Sequence, residues 1–144
     1  MAVTVKEITL WRREVDNRPG MMAETLGPLY EAGADLRVVM GYRIPGNISK
    51  AAIEIYPVDG KKQMAAAKQA GLTPVDFTAL LVEGNDKRGL GLRFASALAE
   101  ENINIIFLVA QVIRRKYSAI FGFESKEAAK AAAAALKKAA KRKR

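Results

Sequence analysis

The spacing of apolar and polar positions predicts alternating strands and helices along the whole chain. Residues 4–14 are rich in β-branched and apolar side chains, which predicts a first strand. The segment 16–20, Asp-Asn-Arg-Pro-Gly, ends that strand. Met22, Leu26 and Leu29 then recur at helical spacing, so a helix follows the loop.

Two more strands and a second helix complete this half of the chain. Strands are predicted over 35–44 and 49–56, on either side of a Pro-Gly-Asn turn. Asp59 is placed to cap a helix that ends at Gly71. Residues 72–75 form a short extended piece.

The same order of elements recurs after residue 74. It consists of a strand over 75–83, a helix with an apolar stripe at Leu90, Phe94 and Leu98, strands over 103–113 and 116–123, and a long helix capped by Ser125. A shift of 69 residues places Gly20 on Gly89, and after the second strand the shift becomes 67, which places Ala52 on Ala119. We interpret this as an internal duplication. The predicted domains are 1–74 and 75–136, with a basic tail at 137–144.

The order strand–helix–strand–strand–helix in each half predicts the α+β class. The expected architecture is two ferredoxin-like repeats of the βαββαβ type, each an antiparallel sheet with its helices on one face. A repeat of about 70 residues has a marginal core by itself, so pairing of the halves and a homodimer are expected. The last strand of the second repeat is left open: absent, supplied by the tail, or exchanged from another subunit.

Composition removes most enzyme chemistries. The 144 residues include no Cys and no His, which excludes disulfides, thiolate nucleophiles, Ser-His-Asp triads and the usual zinc sites. The carboxylates are scattered, so no catalytic residue, metal site or cofactor is predicted. The N-terminus does not resemble a targeting leader, and the apolar stretch 103–113 is far shorter than the ~20 residues of a membrane span. We expect a cytoplasmic binding protein without membrane contact.

The positive charge is concentrated near the C-terminus. The net charge is +9, and residues 137–144, KKAAKRKR, contain six of the Lys and Arg residues. Basic residues at the end of a helix oppose its dipole and aid solubility, which we take as their main role. Contact of this tail with nucleic acid is an alternative, because phosphate binding uses such clusters.

The loop-and-helix segments resemble the ACT domain, a small regulatory module, present twice in tandem. The resemblance rests on these segments: Asp16–Met21 with 23–36, 85–91 with 95–105, and 110–113 with 116–120. It covers nearly the whole chain apart from the tail. It implies a protein that binds a small amino acid at the loop between the first strand and first helix of a repeat, often across an interface, and that regulates a partner protein.

The ligand-binding residues implied by the resemblance lie in both loops: Asp16, Asn17, Arg18, Pro19, Gly20 and Met21 in the first, and Asn85, Asp86, Lys87, Arg88, Gly89 and Leu90 in the second. Glycine lets the backbone approach a ligand closely, and the helix N-terminus suits a carboxylate. The Asp and Asn side chains suit an ammonium group. Arg88 replaces the proline of the first repeat, so the two loops need not bind the same ligand.

Other interpretations of the same residues are weaker or less specific. Asp, Asn, Pro and Gly make a good turn and helix cap with no ligand, as in a pure oligomerisation scaffold. An RNA-recognition motif has the same element order, but Tyr117, Phe121 and Phe123 lack the glycine of that motif, and core packing is the favoured use of these rings. Gly89 and Gly91 do not continue into a dinucleotide-binding fingerprint. Nucleic acid is therefore not the predicted partner.

Overall fold

The computed structural model describes residues 3–141 of the chain. Its elements are β1 (Thr4–Ile8), β2 (Trp11–Asp16), α1 (Met21–Glu31), β3 (Val38–Ile44), β4 (Asn47–Tyr56), α2 (Gly60–Gln69), β5 (Thr73–Pro74), β6 (Thr78–Asn85), α3 (Leu90–Glu100), β7 (Phe107–Ile113), β8 (Lys116–Phe123) and α4 (Lys126–Lys141). The chain divides into two compact units: residues 9–76, the first unit, and residues 3–8 with 77–141, the second unit. Within the described part of the chain, no helix has the length and apolar character needed to cross a membrane.

The first unit is a four-stranded antiparallel sheet with two helices on one face. Its strand order is β3-β4-β2-β5. Alternation along the strands turns Trp11 and Val15 of β2, and Ile53 and Ile55 of β4, toward the helices. These side chains form one core with Met21, Leu29, Ala67, Ala70 and Leu72.

The second unit repeats this arrangement with more aromatic packing. Its strand order is β1-β6-β8-β7. The ring of Phe94 on α3 meets Tyr117 and Phe121 of β8 edge-on, with centroids 5.6 and 6.5 Å apart. Tyr117, Phe121 and Phe123 are all buried in the core, so their predicted packing role is confirmed. The α+β class with two ferredoxin-like repeats is confirmed as well.

The single strand predicted over residues 4–14 is wrong. The chain leaves β1 after Ile8 and enters β2 at Trp11, and the two strands belong to different sheets. Val5 of β1 pairs with Val82 of β6, so the start of the chain forms the last strand of the second sheet. The β-rich pattern is continuous across the break because both strands need β-branched and apolar residues. Residues 3–8, predicted within a first domain of 1–74, therefore lie with the second unit.

The predicted basic tail at 137–144 begins inside a helix. α4 continues to Lys141, and Ala139 is buried in the core of the second unit. Lys137, Lys138 and Lys141 therefore extend a packed helix, with Lys138 and Lys141 in its last turn, where they favourably oppose the helix dipole. Residues 142–144 lie outside the described part of the chain.

The strand registers give the alignment of the two repeats. Asp16 pairs with Lys50 in the first sheet, and Asn85 pairs with Lys116 in the second. The shift is therefore 69 residues at β2 and β6 but 66 at β4 and β8, and the predicted 67 is wrong by one residue. The cause is the β3–β4 hairpin, which is longer and shifts register between Arg43 and Ile44.

Candidate functional site

The first predicted loop joins the end of β2 to the start of α1. Gly20 is the N-cap of α1 with φ 92°, a left-handed conformation that L-residues rarely adopt, and no side chain caps the helix. A Cβ built on Gly20 would meet nothing within 4 Å. Glycine is therefore needed here for its φ angle. The N–H groups of the first helical turn remain available to an anion.

Contacts to β4 hold this loop in place. Lys50 Nζ donates to Asp16 Oδ1 at 2.8 Å, Asn17 Nδ2 donates to the carbonyl of Ile48 at 2.8 Å, and Asn17 N donates to the carbonyl of Ser49 at 2.9 Å. The hydrogen bond and the charge of Lys50 lower the pKa of Asp16 and raise the pKa of Lys50. The two side chains predicted to take an ammonium group are thus already bonded to the hairpin.

A cavity of about 400 Å³ opens beside this loop. Four of the six predicted residues line it: Asp16, Asn17, Arg18 and Met21. Pro19 and Gly20 are not among its lining residues.

The rest of the wall comes from residues that sequence reasoning missed. These are Val15, Met22, Gly41, Tyr42, Arg43, Ala51, Ala52 and Ile53. A Cβ on Gly41 would approach the Met22 methyl to 2.6 Å, so Gly41 leaves room for Met22 on this wall. Arg43 adds a second guanidinium opposite Arg18. The small residues and the arginine on the hairpin were the available signal, but only the fold brings them to the loop.

One wall residue connects the cavity to a buried carboxylate. Tyr42 Oη donates to Glu54 Oε2 at 2.5 Å, and Arg12 Nε lies 3.6 Å from the same oxygen. Glu54 is only 2% exposed, and its other oxygen has no partner among the described residues. Burial, and then the bond to Glu54, raise the pKa of Tyr42. Tyr42 is therefore held in one orientation at the cavity wall.

The second predicted loop has the same backbone design with different charges. Gly89 is the N-cap of α3 with φ 82° and no side-chain cap. Lys116 Nζ donates to Asn85 Oδ1 at 2.7 Å, and Asp86 N donates to the carbonyl of Arg115 at 2.8 Å. These bonds correspond to Lys50–Asp16 and Asn17–Ser49, but the lysine here meets a neutral amide. The carbonyl of Lys87 accepts from Leu90 N at 3.0 Å and closes the turn.

A buried hydroxyl group lies on the strand next to this second loop. Tyr117 is 5% exposed, and its Oη has no hydrogen-bond partner among the residues that the structure describes. Burial, and then the charge of Asp86, raise the pKa of Tyr117. The sequence identified Tyr117 as a packing residue but gave no sign of an unpartnered hydroxyl.

The predicted residues thus form two separate groups, one in each unit. In residues 3–141, no cluster of three or more Asp or Glu side chains is arranged to hold a metal ion. What both loops offer is an uncapped helix N-terminus beside fixed polar side chains. This suits a small molecule with a carboxylate.

Comparison with known proteins identifies structural neighbours but no sequence family. The sequence matches no known family model and no curated protein. A protein of Bacteroides thetaiotaomicron superposes with a TM-score of 0.74 at 12% identity, covering 93% of this chain and 98% of that one. The regulatory subunits of aspartate kinase from Thermus thermophilus (ligand-free form) and Thermus flavus superpose with TM-scores of 0.64 and 0.60 at 18% and 17% identity, each covering 96% of this chain and 97% of its own. Identities this low show a shared fold.

Proposed function

We propose that this chain is a non-catalytic, cytoplasmic regulatory protein that binds a small amino acid and passes the signal through a homodimer or a partner protein. The observation that carries the proposal is the cavity beside the uncapped N-terminus of α1. The aspartate kinase regulatory subunits support it, because a regulatory role accompanies this fold along almost their whole length. The ACT resemblance of both loops supports it independently.

The first-unit cavity fits the two charged groups of an amino acid. A carboxylate at the N-terminus of α1 would receive backbone N–H groups, with Arg18 and Arg43 on the cavity wall. An ammonium group would take the place of Lys50 on Asp16. The volume of about 400 Å³ falls within the range of ordinary ligand pockets.

The second loop is the weaker site for an ammonium group. Asn85 stands where the first loop has Asp16, and Lys116 already donates to its oxygen. Lys87 and Arg88 add positive charge, offset only by Asp86. We propose that the two loops differ in ligand preference, with the zwitterionic ligand at the first.

Regulation would follow from the bonds between loop and hairpin. Asp16 and Asn17 tie the first loop to β4, so a ligand that displaces Lys50 changes what holds the hairpin. Such a ligand shifts an assembly equilibrium only by its differential affinity for the two states, typically 1–3 kcal/mol.

A ligand-free scaffold is the second candidate, and one observation favours it. The polar groups of both loops already have partners within their own unit, as a structural turn requires.

A thermal panel separates the two candidates. The melting temperature is measured with each of the twenty amino acids at millimolar concentration. A ligand at 100 times its dissociation constant adds about 2.7 kcal/mol, which raises the melting temperature by several degrees. The proposal expects one or a few related amino acids to act, with the effect lost in Arg43→Gln and kept in Lys130→Gln, which removes the same charge from an exposed position on α4. A flat panel favours the scaffold.

A further inference from the structure

The edge strand β7 is the most apolar exposed surface in the described residues. It spans Phe107–Ile113, FLVAQVI, and lies at the end of the second sheet, paired on one side only, with β8. Leu108, Val109, Val112 and Ile113 are 42–60% exposed. Both faces of the strand and its outer backbone groups are therefore open.

The other sheet edges in residues 3–141 carry features that oppose pairing with another strand. β1 contains Lys6 and Glu7, and Glu7 forms an ion pair with Lys126 at 3.7 Å. β5 is two residues long and includes Pro74. Charges, proline and short length are the usual protections of an edge strand.

The strand equivalent to β7 in the first unit is protected too. β3 contains Arg43 and shifts register at the next residue. A bulge and a charge at an edge both discourage addition of a strand. β7 has no charge, no proline and no register shift. This difference between two equivalent strands indicates that β7 is built to be paired.

We infer that β7 pairs antiparallel with β7 of a second copy of this chain and joins two second-unit sheets into one. The sequence of β7 complements itself about Ala110: Phe107 faces Ile113 of the second copy, and Leu108 faces Val112 of the second copy. The smallest side chain lies at the two-fold axis, and no like charges oppose each other. Apolar and β-branched cross-strand pairs of this kind stabilise antiparallel sheets.

The exposed area agrees with a dimer contact. The exposed parts of the β7 side chains amount to roughly 400 Å², the size of the apolar patches that mark interaction sites. Two copies would bury about 800 Å² of side-chain surface together with the strand backbones, close to the ~1,000 Å² that a specific interface needs. The inference rests on the homodimer of the proposed function but not on its ligand.

Two matched variants test the edge. Leu108→Lys places a charge in β7, and Val39→Lys places the same charge at the equivalent position of β3, where exposure is nearly the same, 45% against 42%. Val109→Lys repeats the test on the other face of β7. Sedimentation velocity over a range of concentrations measures dimer dissociation, and the melting temperature checks that each variant is folded.

We expect Leu108→Lys and Val109→Lys to raise the dimer dissociation constant at least tenfold, and Val39→Lys to leave it unchanged. Hydrogen exchange of the β7 amides that point away from β8 should slow as the wild-type dimer forms. A dimer that survives both β7 variants, or that dissociates with Val39→Lys, overturns the inference while leaving the homodimer intact. A wild-type chain that is monomeric at every concentration overturns both, and the thermal panel still reports independently on the ligand.

Discussion

Lys50 and Asp16 face each other across β4 and β2, with Nζ and Oδ1 2.8 Å apart, and the pair closes the strand just before the first loop. Lys116 and Asn85 hold the same position in the second unit. A shared geometry with a different charge is the main chemical difference between the two candidate sites. The other features of the loops, the left-handed glycine and the uncapped helix, are common to both.

The first prediction concerns the ionisation of Asp16. Because Lys50 lowers the pKa of Asp16, the pair contributes stability above the unfolded-state pKa of Asp, and that contribution is lost as pH falls through the lower folded-state pKa. Lys50→Met should return the Asp16 pKa toward its ordinary value, whereas Lys61→Met on α2 should not. Carboxyl ¹³C NMR across acid pH measures it. An Asp16 pKa that Lys50→Met does not change would contradict the pairing.

The second prediction concerns the glycine that begins α1. Gly20→Ala should destabilise the protein by about 1–2 kcal/mol, because alanine must adopt a left-handed φ where nothing else obstructs its Cβ. Gly27→Ala is the matched control: it lies inside α1 with open space at its Cβ, and it should stabilise the protein by about 0.5–1 kcal/mol. Urea unfolding measures both. Equal effects of the two substitutions would show that φ does not decide the residue at position 20.

The third prediction compares two tyrosine hydroxyl groups. Tyr42→Phe should cost about 1.5–3 kcal/mol because it removes a hydrogen bond to the buried carboxylate of Glu54. Tyr117→Phe should be neutral or slightly stabilising, because its buried hydroxyl has no partner among the described residues. Tyr30→Phe, at an 81% exposed position, is the control. The free energy of unfolding at neutral pH orders the three variants, and a Tyr117→Phe loss as large as that of Tyr42→Phe would be inconsistent with the structure.

The pKa of Tyr42 adds a dependence on alkaline pH. Its pKa is raised in the folded state, so its contribution is fully present below the unfolded-state pKa of about 10 and is lost as pH rises through the folded value. The difference in stability between wild type and Tyr42→Phe should therefore shrink above about pH 10. A difference that stays constant through alkaline pH would argue against the Tyr42–Glu54 bond.

The fourth prediction concerns the N-terminal strand. Deletion of residues 1–8 removes β1 and exposes the backbone of β6 along five paired residues. We expect the second unit to lose roughly 3 kcal/mol or more, from lost ladder bonds and lost packing of Val5. Hydrogen exchange should accelerate at Leu80 and Val82 while Ile53 and Ile55 keep their protection. Equal acceleration in both units, or none, would contradict the assignment of β1.

Local sequence patterns predicted the element types well and their partners less well. Alternation and helical spacing identify β6, α3 and β8 because each buries one face at a regular period. The break between β1 and β2 was missed, since which sheet a strand joins depends on an open edge about 75 residues away along the chain. The extra residue in the hairpin offset was missed because a register shift leaves no sign in composition.

The candidate site was predicted only on its loop side. Asp16 and Asn17 precede a glycine and a helix, which is a local signal. Lys50 and Arg43 reach the same place from a hairpin more than twenty residues later, and only the strand register brings them there. The unpartnered hydroxyl of Tyr117 was equally hidden, because an aromatic residue at a core position gives the same pattern with or without a partner for its oxygen.

The most direct test of the account is an NMR titration of the ¹⁵N-labelled full chain with each of the twenty amino acids. The account predicts that at least one amino acid shifts the backbone amides of residues 17–22 together with those of Tyr42 and Arg43, saturably, and that Arg43→Gln weakens the effect while Lys130→Gln does not. If no amino acid at millimolar concentration shifts these amides, or if the shifts lie elsewhere, the cavity beside α1 is not an amino-acid site and the chain is better described as a scaffold.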